Sequence, residues 1–203
     1  MKTFLHVGCG NSKKDQTTPS FAGPDWSELR LDIDPGVNPD IVGTMTNMTA
    51  MTGETVDAIF SAHNIEHLYP HEVPAALSEF RRVLKPDGFA LITSPDLEAI
   101  ASLILDHGLD HVAYTSPAGP ISALDMLFGH SASVANGHVH MAHKCGFTCV
   151  SLGQRLVDSG FATVLATRDG FDLWAVALME RADKTAIQQQ LAAAGLKVFD
   201  DAE

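Results

Sequence analysis

Short apolar runs rich in β-branched and aromatic residues recur along this chain with helical patterns between several of them, and that alternation leaves little besides parallel strands joined by crossovers. The runs are residues 3–7, 28–32, 40–42, 56–61 and 89–94. Between the last two, Leu77, Phe80 and Leu84 recur at helical spacing while Arg81 and Arg82 fall off the stripe, which predicts a helix over 73–84. Lys85-Pro86-Asp87-Gly88 then turns the chain into the next strand. Pro95 suits the first position of a further helix, with Leu97, Ile100, Leu103 and Ile104 as its apolar stripe and Gly108 past its end.

Residues 109–146 are the least regular stretch, read as a helix around 121–128 followed by a loop rich in Gly and His. Thr148 is placed to cap a helix carrying Leu152, Leu156 and Val157, with Gly160 after it. Two strand patterns, 161–168 and 171–179, are separated by Asp169-Gly170, a dipeptide suited to a tight hairpin. The otherwise parallel sheet is therefore expected to end in an antiparallel pair. Residues 181–194 read as an amphipathic helix and the last few as frayed. At 203 residues one domain is expected, over 1–180, with 181–203 as a C-terminal helical tail.

A net charge of -12, with only 13 Lys and Arg, argues against binding to nucleic acid through its phosphates and to an anionic membrane. No run reaches transmembrane length, and the apolar run Phe4 to Val7 is too short for a signal-peptide core. Cys9, Cys145 and Cys149 are an odd number in a mid-sized chain, which suits a reducing, cytoplasmic compartment.

Gly8 and Gly10 follow the first run directly, where the backbone must turn sharply and a ligand can approach without meeting a side chain. Asp32 ends the second run, where a carboxylate can accept hydrogen bonds from both hydroxyls of a ribose. The pair implies a ligand containing adenosine. The third glycine of the dinucleotide fingerprint is missing, and the stretch to Trp26, with Pro19, Gly23 and Pro24, starts no long helix. A pyrophosphate would lack its helix N-terminus. S-adenosylmethionine carries no phosphate, so the pattern favours it over NAD.

The order of motifs over roughly residues 3–180 resembles the methyltransferase type 11 group of class I S-adenosylmethionine-dependent methyltransferases. The stretches that carry the resemblance are 5–10, 31–35, 56–68 (VDAIFSAHNIEHL), 80–88 (FRRVLKPDG) and the closing hairpin. The resemblance implies a Rossmann-like, doubly wound α/β sheet of seven strands, mostly parallel, with an antiparallel C-terminal hairpin. It implies S-adenosyl-L-methionine as cofactor, with Gly8, Cys9 and Gly10 along its methionine part. Asp32, Ile33 and Asp34 would then take the ribose, Met45, Asn47 and Met48 the adenine edge, and Ser61 and His63 the sulfonium. This chain departs from the group in having His6 where an acid is usual, no acid near Thr44 or Asn47, and an irregular loop in place of the first helix.

Methyl transfer is an in-line displacement at an activated sulfonium, so holding the acceptor close and aligned supplies much of the rate. If the acceptor needs a base, His63, at the end of the fourth strand, is the first candidate. His143 is the second, because members of the group carry a His shortly before Gly-Phe, here Gly146-Phe147. Glu66 and His67 read as structural, near a helix start. His138, His140, His143 and Cys145 are metal-capable, but their spacing matches no common zinc signature, so no metal is expected. The expected activity is transfer of a methyl group to O or N of a small-molecule or sugar-like acceptor. The alternatives are a cofactor- or metal-binding regulatory module without turnover, and a nicotinamide-dependent oxidoreductase. Oligomeric state is left open.

Overall fold

The computed structural model describes residues 1–196. In chain order the elements are β1 (Lys2–Val7), α1 (Pro19–Ala22), β2 (Trp26–Asp32), β3 (Ile41–Val42), β4 (Val56–Ala62), α2 (Val73–Val83), β5 (Leu84–Pro95), α3 (Leu97–His107), β6 (Val112–Ser116), β7 (Gly119–Ser122), α4 (Ala123–Phe128), α5 (Ser131–Ala135), α6 (Cys149–Asp158), β8 (Thr163–Asp169), β9 (Asp172–Leu178) and α7 (Lys184–Ala193). Seven strands form one sheet in the order β3-β2-β1-β4-β5-β9-β8, and β6 with β7 makes a separate two-stranded ribbon. Only β9 runs against its neighbours, pairing antiparallel with both β5 and β8. Because β1 has β2 on one side and β4 on the other, the strand order reverses there, and the carboxyl ends of β1, β2 and β4 open onto a crevice.

The strands at the sheet centre are buried on both faces. Leu5, Val7, Ile59, Ala90 and Ile92 meet Leu77 and Phe80 of α2 and Leu152 and Leu156 of α6. Phe4, Trp26, Phe60 and Phe89 share the opposite core with Phe21 of α1 and with Ile187 and Leu191 of α7. Phe4 stacks on Phe21 at 4.6 Å between ring centroids, and Trp26 meets Phe21 edge-on at 5.0 Å. The described part of the C-terminal segment thus packs on the sheet; the frayed end expected after residue 196 lies outside the described residues.

Three local expectations are corrected. Pro95 closes β5 instead of opening α3, because Asp96 takes the N-cap and its carboxylate accepts from the Glu98 N–H at 3.1 Å. The helix expected around 121–128 begins only at Ala123, since Ile121 belongs to β7 and Ser122 caps α4 in a reciprocal box with Asp125. The hairpin turn is Gly170-Phe171, flanked by the pair Asp169 and Asp172, with Gly170 at φ 61° in the first central position. Ile100, Ile121, Ala123 and Met126 form a small third core that joins α3, α4 and the ribbon, together with Phe171 of the hairpin turn. No helix among the described residues is long and apolar enough to cross a membrane.

Candidate active site

At the end of β1 the chain turns through two left-handed glycines, Gly8 at φ 60° and Gly10 at φ 51°. A β-carbon on Gly8 would lie 1.8 Å from Asn64 Oδ1, so the turn is pressed against the segment after β4. Asn64 locks that contact by donating from Nδ2 to the carbonyls of Val7 (2.9 Å) and Ala62 (2.7 Å). Around Gly10 the position of a β-carbon meets nothing within 4 Å, which makes this the open side of the turn. Cys9, between them, is buried, and burial pushes its thiol up to about 11, so it is inert filling at neutral pH.

Asp32 reaches across from β2: Oδ2 accepts from the Gly10 N–H at 2.7 Å and Oδ1 from the Asp34 N–H at 2.9 Å. Each oxygen keeps lone-pair capacity, and the group is only half-buried. Ile33 is 51% exposed beside it, and Asp34 caps the next turn through the Gly36 N–H. The buried Arg30 guanidinium donates to the Gly10 carbonyl (2.6 Å) and the Asn38 carbonyl (2.8 Å), tying the glycine turn to the segment after Asp32. His6 Nδ1 lies 2.7 Å from Glu28 Oε1, so β2 supplies a carboxylate beside the position where β1 has none.

Met45 is half-buried, Asn47 exposed and Met48 buried, on a turn in which Thr44 and Asn47 bridge. Glu79 and Arg82 of α2 hold this turn from behind. Glu79 Oε2 accepts from the Met48 N–H at 2.6 Å, and Arg82 donates to the carbonyls of Met48 and Met51, each at 2.9 Å.

At the end of β4 Ser61 is fully buried, its hydroxyl without a partner. His63 follows at φ 52°, a left-handed conformation uncommon for a residue other than glycine. Its ring stands between two carboxylates, 3.5 Å from Glu66 Oε1 and 3.5 Å from Asp172 Oδ1. Desolvation opposes the charged ring, but the two carboxylates outweigh it and push the pKa up to about 10. The ring is therefore held as a cation, unlike the near-neutral base expected from its place in the sequence. His143 lies behind it, its Nε2 4.0 Å from Glu66 Oε1, with its pKa lowered by burial. Glu66 caps no helix: it is 1% exposed in a short 3-10 turn, and neither carboxylate oxygen has a hydrogen-bond partner. His67 meets His143 edge-on, ring centroids 4.9 Å apart.

The structure thus brings the glycine turn, Asp32, Ser61 and His63 to one edge of the sheet, with His143 alongside, whereas His138 and His140 are exposed and outside the cluster. Sequence reasoning missed Arg30, Asn64, Glu79, Arg82 and Asp172. Their partners are backbone atoms or rings distant in the chain, and no local periodicity marks them. A cleft lined by Gly53, Arg81, Arg82 and Glu180 opens at the opposite, amino end of β4 and β5, and the glycine turn, Asp32, Ser61, His63 and His143 do not line it.

This strand order with its single reversed strand defines the class I S-adenosylmethionine-dependent methyltransferase fold. Solved structures of that fold align along most of the chain. A SAM-dependent methyltransferase from Archaeoglobus fulgidus is 15% identical with a TM-score of 0.55, over 87% of this chain and 86% of that one. A Burkholderia thailandensis 1,6-didemethyltoxoflavin-N1-methyltransferase, bound to 1,6-didemethyltoxoflavin and S-adenosylhomocysteine, is 13% identical with a TM-score of 0.52, over 90% and 72%. A SAM-dependent methyltransferase from Thermotoga maritima, described as a possible histamine N-methyltransferase, is 14% identical with a TM-score of 0.53, over 89% and 83%. No curated protein matches the chain in sequence. Residues 5–92, from β1 into β5, match the family model described as methyltransferase domain. The fold is thus that of class I S-adenosylmethionine-dependent methyltransferases, and the match over residues 5–92 supports a methyltransferase with S-adenosylmethionine as its cofactor.

Proposed function

We propose that this enzyme methylates O or N of a small-molecule acceptor, a sugar-like one included, in the crevice beyond β1, β2 and β4. The observation that carries the reading is the convergence of the open side of Gly10, the Asp32 carboxylate and the His63 side chain at one sheet edge. The donor set fits the cofactor: a Gly10 side without side-chain obstruction, a half-buried carboxylate with lone pairs to spare, and no long helix whose N-terminus could take a pyrophosphate. That last feature also argues against the nicotinamide alternative.

In this reading Gly8, Cys9 and Gly10 border the methionine part of the cofactor, and Asp32, Ile33 and Asp34 the ribose. Met45, Asn47 and Met48 edge the adenine, while Ser61 and His63 face the sulfonium. The bound cofactor supplies the activated methyl group. The protein orients the acceptor and, where needed, takes its proton: His143, whose pKa burial lowers, is the group on that side able to accept it, while the cationic His63 ring faces the acceptor as a donor and positive charge. Support for a small acceptor comes from the toxoflavin-precursor enzyme, whose structure holds such a ligand. The free thiols of Cys9, Cys145 and Cys149 support a cytoplasmic setting.

The test is calorimetric titration of S-adenosylhomocysteine, with NADH and Asp32→Ala as controls. Micromolar binding that is lost in the variant is the expected result; binding of NADH alone would overturn the reading. Turnover of His63→Ala and His143→Ala over an acceptor panel then checks the acceptor side. Wild-type rates in both would remove these residues from the chemistry.

A further inference from the structure

We infer that Glu66, His67 and His143 form a binding site for a divalent first-row transition-metal ion, of which Zn²⁺ is the probe of choice. One ligand atom from each residue lies within 4.8 Å of the others. The second observation is independent of that proximity: Glu66 is 1% exposed and both of its oxygens are buried without a hydrogen-bond partner. Burying a carboxylate costs several kcal/mol, as an order of magnitude; the His63 ring, 3.5 Å from Oε1, offsets part of this without a hydrogen bond, and a second cation would offset the rest.

The two imidazoles are already set as ligands. His67 Nδ1 lies 3.1 Å from the Ala142 carbonyl and His143 Nδ1 lies 3.0 Å from the Met126 carbonyl. A carbonyl only accepts, so each Nδ1 carries the hydrogen and each Nε2 is left with its lone pair. His143 Nε2, 4.0 Å from Glu66 Oε1, and a ring nitrogen of His67 thus converge with the carboxylate. Backbone hydrogen bonds that fix the tautomer of a ligating His are the usual outer support of a metal site. The cluster is also held rigidly: the Glu66 carbonyl accepts from the N–H groups of Lys144 (2.8 Å) and Cys145 (3.1 Å), and the His143 N–H donates to the Phe128 carbonyl (3.1 Å).

Two nitrogens with one carboxylate select zinc or its first-row neighbours over Mg²⁺ and Ca²⁺, which prefer oxygen alone. Three protein ligands leave a coordination position open, as catalytic sites do. The cluster follows directly on β4, and His63 Nδ1 stands 3.5 Å from Glu66 Oε1 on the crevice side. An acceptor hydroxyl bound at the open position would lose its proton more readily, and the resulting oxygen would attack the sulfonium methyl carbon. The C–O bond forms as the C–S bond breaks, the bonding pair returns to sulfur, and the proton leaves to solvent. This role rests on the methyltransferase reading, whereas occupancy of the site does not.

The experiment uses the full chain without a histidine tag, freed of metal by a chelator, and titrated calorimetrically with Zn²⁺ alone and with Mg²⁺ alone. Expected are one Zn²⁺ per chain, no comparable Mg²⁺ binding, and a loss of roughly 10–100-fold or more in Zn²⁺ affinity for Glu66→Gln and for His143→Ala. The surface variants His138→Ala and His140→Ala should bind as the wild type does. Retained S-adenosylhomocysteine binding shows that a variant is folded, and the visible spectrum of Co²⁺ on the wild-type chain tests for nitrogen ligation without any substitution. No stoichiometric Zn²⁺ binding, or binding lost with His138 or His140 and kept without Glu66, overturns the site. Zn²⁺ binding with turnover indifferent to the chelator would overturn only the role toward the acceptor.

Discussion

Gly8 and Gly10 share a left-handed backbone yet differ in what a methyl group would meet, and their substitutions should separate accordingly. Ala at either position carries the left-handed penalty of about 1–2 kcal/mol. At Gly8 the methyl also collides with Asn64, so Gly8→Ala should lower stability by more than Gly10→Ala in denaturant unfolding. At Gly10 the space is free, so Gly10→Ala should stay folded and lose S-adenosylhomocysteine by roughly tenfold or more, near 1.4 kcal/mol. Equal affinity for that variant and wild type would contradict the placement of the cofactor over this turn. His6 offers a second test. Its pKa is lowered, first by burial, against the raising pull of Glu28 and Asp32 and together with the lowering effect of Arg30. The unfolded ring titrates near pH 6.5 and therefore binds its proton before the folded one does. Stability should be intact above about pH 6.5 and fall as pH drops through that value toward the lower folded pKa. Urea unfolding across this range should show a shallower slope for His6→Gln, which keeps a donor for Glu28 without the titration.

At the scale of elements, α2 is more than a cover for the sheet. Its buried stripe, Val73, Ala76, Leu77, Phe80 and Val83, fixes it on the core, and this leaves Glu79 and Arg82 aimed at the turn around Met48. Glu79→Ala should therefore weaken cofactor binding by about 1–2 kcal/mol while the far-ultraviolet spectrum stays unchanged. A titration that matches wild type would show that this turn needs no support from α2. The unit of α3, β6, β7 and α4 has its own small core, apart from the two that sandwich the sheet. Its amides should exchange with solvent sooner than those of β1, β4 and β5, as expected where buried apolar contacts are few. Uniform protection across both regions would argue for a single cooperative unit.

For the molecule as a whole, cofactor binding and folding are linked, since a ligand that binds only the folded chain stabilises it. At a hundredfold excess over Kd, S-adenosylhomocysteine should add about 2.7 kcal/mol, a rise in Tm of roughly 5–10 °C for a chain of this size. Asp32→Ala should abolish the rise. The alternation of strands and helices and the closing antiparallel pair were legible because strand periodicity, the turn residues of the hairpin and the glycine turn are local signals, whereas the strand order needed the fold. The acceptor side was not. Glu66 reads as a helix-start acid because the bonds that define its setting come from Lys144 and Cys145, far along the chain. His63 reads as a base because Asp172, its second carboxylate neighbour, lies 109 positions further on, at the start of β9.

By itself the sequence determined the alternation of strands and helices, the hairpin, the turn through Gly8 and Gly10, and the acid at the end of β2. Each of these follows from backbone sterics or side-chain period within a few residues. Tertiary structure decided which polar groups share one buried volume: Glu28 on His6, Glu79 and Arg82 on the Met48 turn, and Glu66 between His63 and His143. A buried charge takes its state from what lies within a few ångströms in space, and only the closed fold brings those neighbours together.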